Sequence, residues 1–170
     1  AAKVWALRYG VAVGKNVALM AAHNSGWKDA VALHNAGVAV STIIDVRDVI
    51  EPDLVEAARA AGIQVHLGSS VVGVSGRHAV TAIKFAGNDG SAVQSVSCDA
   101  LLMAGGWTPS IHLWSHSKGS IRWSDDWGAF LPDKPNENVR CVGACAGNWS
   151  FGQGINLGQL PTPKDPSTIK

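Results

Sequence analysis

The chain has 170 residues, 46% of them hydrophobic, and 14 Lys and Arg against 13 Asp and Glu give a formal charge of +1. That is apolar material for one ordinary core, or one core and part of another. The basic residues are scattered, which argues against a nucleic-acid face, and no apolar run approaches the ~20 residues of a membrane-spanning helix. The first element in chain order is "KNVALMAA" (15–22), a short continuous apolar run of the kind found in strands covered on both faces. A helix follows from about Trp27 to Ala36, closed by Gly37. "VAVSTIIDVR" (38–47) is β-branched and reads as a second buried strand. "EPDLVEAARAAG" (51–62) carries Pro52 in its first turn, acids beside it, an apolar face of Leu54, Val55, Ala58 and Ala61, and Gly62 at its end. Those are the marks of a helix. "IQVHL" (63–67) alternates as a third strand, and the βαβαβ order implies right-handed crossovers and a parallel sheet.

The pattern then changes. "VVGVSG", "HAVTAIKFAG" and "SAVQSVSC" are strand-like and joined by short polar turns, with "GNDG" (87–90) as a hairpin signal. This predicts an inserted three-stranded antiparallel meander, after which the fully apolar "ALLMAGG" rejoins the parallel sheet. The fold class is therefore α/β, a Rossmann-like parallel sheet with an inserted meander. In open sheets of this class ligands bind beyond the carboxyl ends of the strands. Gly105 and Gly106 stand at such an end, where a Cβ would block close approach of a ligand to the backbone. A plain tight turn before Pro109 explains them equally well on local grounds. Gly105, which continues the apolar strand, is assigned to the ligand and Gly106 to the turn.

A dinucleotide site usually shows G-x-G-x-x-G between the first strand and helix. The matching stretch "MAAHNSGW" (20–27) has one glycine, Gly26, so the fingerprint fails. Asn24 or Ser25 is expected to cap the helix and leave N–H groups for an anion, and a capped helix with no ligand is the plainer reading. Asp45 ends the second strand, about where an acid grips the adenosine ribose in such folds, and is expected to be exposed there. Arg47 raises a 2′-phosphate as a possibility, with a solvated strand-end charge as the other reading.

The cysteines, Cys98, Cys141 and Cys145, are an odd and sparse set that reads as reduced thiols and points to a cytoplasmic setting. The opening residues do not read as a signal peptide, and none is expected. Cys141 and Cys145 are spaced more widely than most metal or redox pairs, which favours two ordinary thiols over a working pair. His112 and His116 would share a helical face, but without a third ligand they read as surface residues, and no metal site is assigned. Trp107, Trp114 and Trp123 fall within seventeen residues, which suggests either a docking interface or, the favoured reading, local core packing.

The βαβαβ unit, the meander and "LLMAGGWTP" together resemble the nicotinamide-binding module of two-dinucleotide flavoprotein oxidoreductases. Within that group, "RYGVAVGKNVALMAAHNSGWKDAVALHNAGVAVSTIIDVR" (8–47) and "LLMAGGWTPSIHLWSHSKGSIRW" (101–123) are similar to the alpha-subunit family of heterotetrameric sarcosine oxidases. The resemblance runs from about residue 8 to about residue 155, and opine and proline dehydrogenases share much of the module. It implies Asn-Ser in place of the glycine fingerprint, which would account for Asn24 and Ser25. It implies a parent oxidoreductase that demethylates sarcosine with FAD and FMN, carries NAD, and pairs with a flavin-carrying subunit. It also implies that "ENVRCVGACAGNWSFGQGI" (137–155) is an apolar strand ending in a Gly/Ala-rich turn at Gly143, where relatives often carry Gly-Asp. Here no Asp follows, which weakens any carboxylate grip on a cofactor at that turn. A buried strand and turn over 139–147 with no ligand is the plainer reading.

The expected organisation is a lead-in segment at 1–13, an NAD-binding-like domain at 14–117, a partial segment of the adjoining FAD/NAD(P)-binding domain at 118–155, and a Pro-rich, mobile tail at 156–170. The chain reads as a module excised from a longer protein whose remaining domains are its partners. Cofactor-binding candidates are Asn24, Ser25, Asp45, Arg47, Gly105, Gly106 and Gly143, and no residue presents itself as catalytic. A reading of a different class is a non-catalytic scaffold or subunit-docking module built on a vestigial dinucleotide fold.

Overall fold

In the computed structural model, which describes residues 1–149, the run at 15–22 becomes the inner strand β1, Val17–Ala21. It is preceded by a helix the sequence reading did not anticipate, α1, Ala2–Tyr9. Then follow α2 (Asn24–Asn35), β2 (Val40–Asp45), α3 (Pro52–Ala60) and β3 (Gln64–His66). The chain next forms β4 (Ser69–Ser75), β5 (Ala82–Gly87) and β6 (Gln94–Ser97), and returns as β7 (Ala100–Ala104). The parallel sheet has the order β3-β2-β1-β7, and the meander is a separate antiparallel sheet, β4-β5-β6.

Alternation along the apolar strands sets the layers. Val17, Leu19 and Ala21 of β1 join Ile43 of β2 and Trp27, Ala30 and Leu33 of α2 in one core. Ala18 and Ile44 point the other way and join Ile83, Phe85 and Cys98 of the meander side in a second. Both faces of the parallel sheet are thus covered at β1 and β2, which is why these strands read as continuous apolar runs rather than alternating ones. Helix α2 ends with Gly37 at φ +88 and α3 with Gly62 at φ +75, left-handed positions that glycine fills without steric cost. The start of β1 is tied to β7 by Asp99, whose carboxylate accepts from the backbone N–H of Lys15 at 2.7 Å and of Asn16 at 2.9 Å.

The chain divides into two compact units, Ala1–Gly106 and a second that begins at Trp107. In the second unit α4 (His112–His116) is followed by an antiparallel hairpin of β8 (Ile121–Ser124) and β9 (Ala129–Pro132). In the described part of the segment expected as a strand and turn (137–155), no strand forms. A one-turn 3₁₀ helix over Gly143–Ala146 stands there, and Val139 and Val142 are exposed. A lone apolar segment becomes a strand only when a neighbour satisfies its N–H and C=O groups, and none pairs with it among the described residues. The tryptophan cluster also departs from expectation. Trp114 is buried and its indole N–H donates to the Ser120 carbonyl at 2.7 Å, but Trp107 and Trp123 are more than half exposed. Residues 150–170, with the end of the Gly143 segment and the expected tail, lie outside the described residues.

Candidate functional site

Strand β1 leads through β2 to β3 on one side, whereas β7 pairs with its other edge. The carboxyl ends of β1 and β7 therefore flank the point where strand order reverses, the usual ligand crevice of an open α/β sheet. From β1 the chain passes through Ala22 and His23 into α2, so the N-terminus of a twelve-residue helix faces this crevice.

The register of the crossover assigns the one glycine of the failed fingerprint. Laying G-x-G-x-x-G over 21–26 puts Ala21, His23 and Gly26 at its three glycine positions. Gly26 keeps the third role, close packing of helix on strand. A Cβ there would lie 2.9 Å from the Cβ of Ala104 and 3.4 Å from that of Ala21. His23 takes the second position, where the motif uses glycine to let a pyrophosphate approach. His23 is also the residue at the helix N-cap, so the expected cap by Asn24 or Ser25 is corrected: both lie inside the first turn, and the helix has no side-chain cap. The Ser25 hydroxyl instead meets His23 Nδ1 at 2.8 Å. Burial, and then the Arg47 cation, hold the His23 imidazole below its ordinary pKa, with Asp29 and Asp45 opposing. The ring is therefore neutral at neutral pH.

Asp45 ends β2 as the sequence indicates but is 0% exposed, which corrects the expected exposed carboxylate. Its side chain lies on the helix face of the sheet because Asp45 keeps the alternation of Ile43. There Oδ2 accepts from Trp27 Nε1 at 2.7 Å and from an Arg47 terminal nitrogen at 2.9 Å, and Oδ1 accepts from Arg47 N at 2.9 Å and Nε at 3.0 Å. Four accepted bonds fill a carboxylate's capacity. Burial pushes the Asp45 carboxyl up, but the bonds from Arg47 and Trp27 outweigh it and hold it below the usual carboxylate range.

Arg47 thus leans back on Asp45 in a fork, and its other terminal nitrogen donates to Asn24 Oδ1 at 2.8 Å. Asn24 Nδ2 in turn donates to Glu51 Oε1 at 2.7 Å. These side-chain bonds use three of the five guanidinium N–H groups, and 32% of the side chain stays exposed, so two donors remain for an anion or a hydroxyl. Glu51 and Trp27 are members of this network that sequence reading missed. A stretch of four acids and one arginine, "DVRDVIEPD" (45–53), was the available signal for Glu51; no local pattern announces Trp27.

The two strand-end glycines differ in conformation. Gly106 sits at φ +137, a conformation side chains rarely adopt, while Gly105 has no such φ and a Cβ on it would meet nothing within 4 Å. The backbone at Gly105 is therefore open to a ligand. Gly143, in the second unit, has φ +67 and open space over its Cβ position. Among the described residues no three His, Cys, Asp or Glu side chains converge to hold a metal. No helix of the described residues is long and apolar enough to cross a membrane. The crevice offers a helix N-terminus, an open glycine and a braced arginine, which is equipment for binding and orienting. For a dinucleotide the fit is good at Gly26, Gly105 and Arg47 and poorer at His23.

No protein-family model matches the chain. The sarcosine oxidase alpha subunit of Rhizobium meliloti (strain 1021) is 34% identical over 139 residues, 82% of this chain and 13% of that subunit. The alpha subunit of Corynebacterium sp. (strain P-1) is 29% identical over 156 residues, 88% of this chain and 16% of that subunit. The chain therefore spans about one-eighth to one-sixth of the curated relatives it matches. Among solved structures, T. acidophilum thioredoxin reductase superposes with a TM-score of 0.68 at 18% identity, over 84% of this chain and 48% of that one. The flavoprotein disulfide reductase RclA of Escherichia coli gives 0.60 at 15% identity, over 85% of this chain and 35% of that one. By sequence the chain belongs with one segment of the sarcosine oxidase alpha subunits, and its α/β fold is like that of these flavoprotein reductases.

Proposed function

We propose that the chain is the dinucleotide-binding module of an amine-oxidising flavoprotein complex, most like the sarcosine oxidase alpha subunit. The observation that carries this reading is the open backbone at Gly105 beside the N-terminus of α2, at the strand-order reversal of a sheet whose relatives are oxidoreductase subunits. In this reading NAD lies across the ends of β1 and β7. Gly105 lets its backbone approach, the first-turn N–H groups of α2 at Asn24 and Ser25 face the pyrophosphate, and the two unspent donors of Arg47 meet the adenosine ribose. Asp45 then acts through Arg47 as a positioning residue, not as the ribose acid. A bound nicotinamide supplies a hydride acceptor, whereas this chain supplies no acid–base pair of its own.

The whole protein would oxidatively demethylate sarcosine with FAD and FMN, in the cytoplasm, together with its remaining domains and a flavin-carrying partner subunit. Residues from 118 onward would contribute to the adjoining FAD/NAD(P)-binding domain, with Gly143 in its cofactor turn. The chain alone is expected not to oxidise sarcosine; peroxide production above a no-protein control would overturn that. A second reading, a scaffold with a vestigial site, is favoured by one observation: His23 stands where the fingerprint has its pyrophosphate glycine. Denaturing the purified chain separates the two. Released NAD, or micromolar NAD binding by calorimetry, supports the first, and an empty chain with no measurable binding supports the scaffold.

A further inference from the structure

The hairpin of the second unit has an inner and an outer face. Arg122 of β8 stands opposite Leu131 of β9, and Ser124 opposite Ala129. The period of two puts these four on one face, and Leu131, Ser124 and Ala129 are buried there. Trp123 and Phe130 take the other face, where their rings meet edge to face at 5.1 Å between centroids. Arg122 is thus a cation on the inner face of a hairpin, yet it stays exposed and lines a cavity of about 280 Å³. Arg140, from the loop after β9, lines the same cavity. Neither guanidinium has a hydrogen-bond or ion-pair partner among the described residues. Asp133 is the one carboxylate in the wall, and its Oδ2 already accepts from the Ser120 hydroxyl at 3.0 Å. Two cations and one anion leave the wall positive. The remaining wall is largely apolar, with Trp114 and Leu131 its largest side chains. The indole N–H of Trp114 is spent on the Ser120 carbonyl, so that ring offers the cavity only carbon surface.

We propose that this cavity binds a small monocarboxylate with an apolar body, of the size of benzoate or a branched aliphatic acid. At about 280 Å³ it lies just below the ~300 Å³ at which pockets for drug-sized molecules begin, so a dinucleotide is too large for it. Arg122 and Arg140 hold the carboxylate, whose two oxygens match the planar guanidinium fork. Trp114 and Leu131 take the apolar body out of water. Asp133 opposes a second negative charge, so a dicarboxylate or a phosphate ester is bound less well. None of these residues is among those proposed to meet NAD, so the site stands apart from the dinucleotide reading.

The test titrates the full chain with benzoate and with benzamide, its uncharged near-isostere, by saturation-transfer NMR at neutral pH. Cys141 lies in the same wall and reports the place, through iodoacetamide labelling and peptide mapping. The expected result is saturable benzoate binding, with benzamide weaker by roughly tenfold for the loss of a charge-assisted hydrogen bond. Labelling of Cys141 should slow over the same benzoate concentrations. Arg122→Gln and Arg140→Gln should each weaken benzoate by about three- to tenfold with the melting temperature unchanged, and Asp133→Asn should tighten it. Benzoate is titrated without NAD, so an empty dinucleotide site leaves the result standing. Equal affinity for benzoate and benzamide, no saturation at millimolar benzoate, or binding unmoved in both arginine variants would overturn the carboxylate site. Saturable binding with Cys141 labelled at its original rate would put the ligand elsewhere and overturn the cavity.

Discussion

Replacing Asp45 by alanine removes the acceptor for four hydrogen bonds at once. The cost is set by what each donor does next. The Trp27 indole N–H is fully buried with its ring and cannot reach water, so leaving it unpaired costs about 1–3 kcal/mol. Arg47 is one-third exposed and turns to solvent, so its share is nearer the ~1 kcal/mol upper end of surface pairs than the value for buried ones. Its backbone N–H adds a fraction more. We expect a loss of about 2–4 kcal/mol, below the ~3–5 kcal/mol of a wholly buried broken pair. For a unit of this size that lowers the melting temperature by roughly 8–20 °C in a circular-dichroism melt at pH 7. Asp45→Asn should fall between, because its amide oxygen can still accept from Trp27. The difference between the parent and Asp45→Asn should also shrink in acid. The carboxyl pKa is lower in the folded than in the unfolded chain, so its contribution is complete above about pH 4–5 and lost as pH falls through the folded value. A melting temperature for Asp45→Ala within about 2 °C of the parent, where errors in such estimates lie, would refute the structural role and return Asp45 to the ribose.

Gly26→Ala should destabilise by about 1–3 kcal/mol, measured by urea titration, because its methyl group meets Ala104 and Ala21 with no flexible atom to yield. Gly106→Ala should cost on the order of 1 kcal/mol through its positive φ and leave NAD affinity intact. Gly105→Ala should do the reverse, weakening NAD binding in calorimetry at an unchanged melting temperature; early melting with full affinity would show the assignment to be inverted. Glu51→Ala breaks only the exposed bond to Asn24, so stability should stay within about 0.5 kcal/mol of the parent in the same melt.

The layers of the fold were legible because each depends on a local or periodic rule. "VALMA" is apolar on every position because helices cover one face of its sheet and the meander the other, whereas in "ALLMA" Met103 stays exposed. Gly37 and Gly62 fix where helices end, and "GNDG" marks the turn between β5 and β6 whatever lies elsewhere. The site was legible only as positions. Whether Asp45 is a ligand or a brace depends on Trp27, eighteen residues earlier, whose indole reaches it only after α2 has packed on the sheet. Whether 139–142 is a strand depends on a neighbouring strand to pair with, not on its own apolar residues. Composition and period set what a segment can bury, and the partner that satisfies a given polar atom is chosen only when distant segments are brought together.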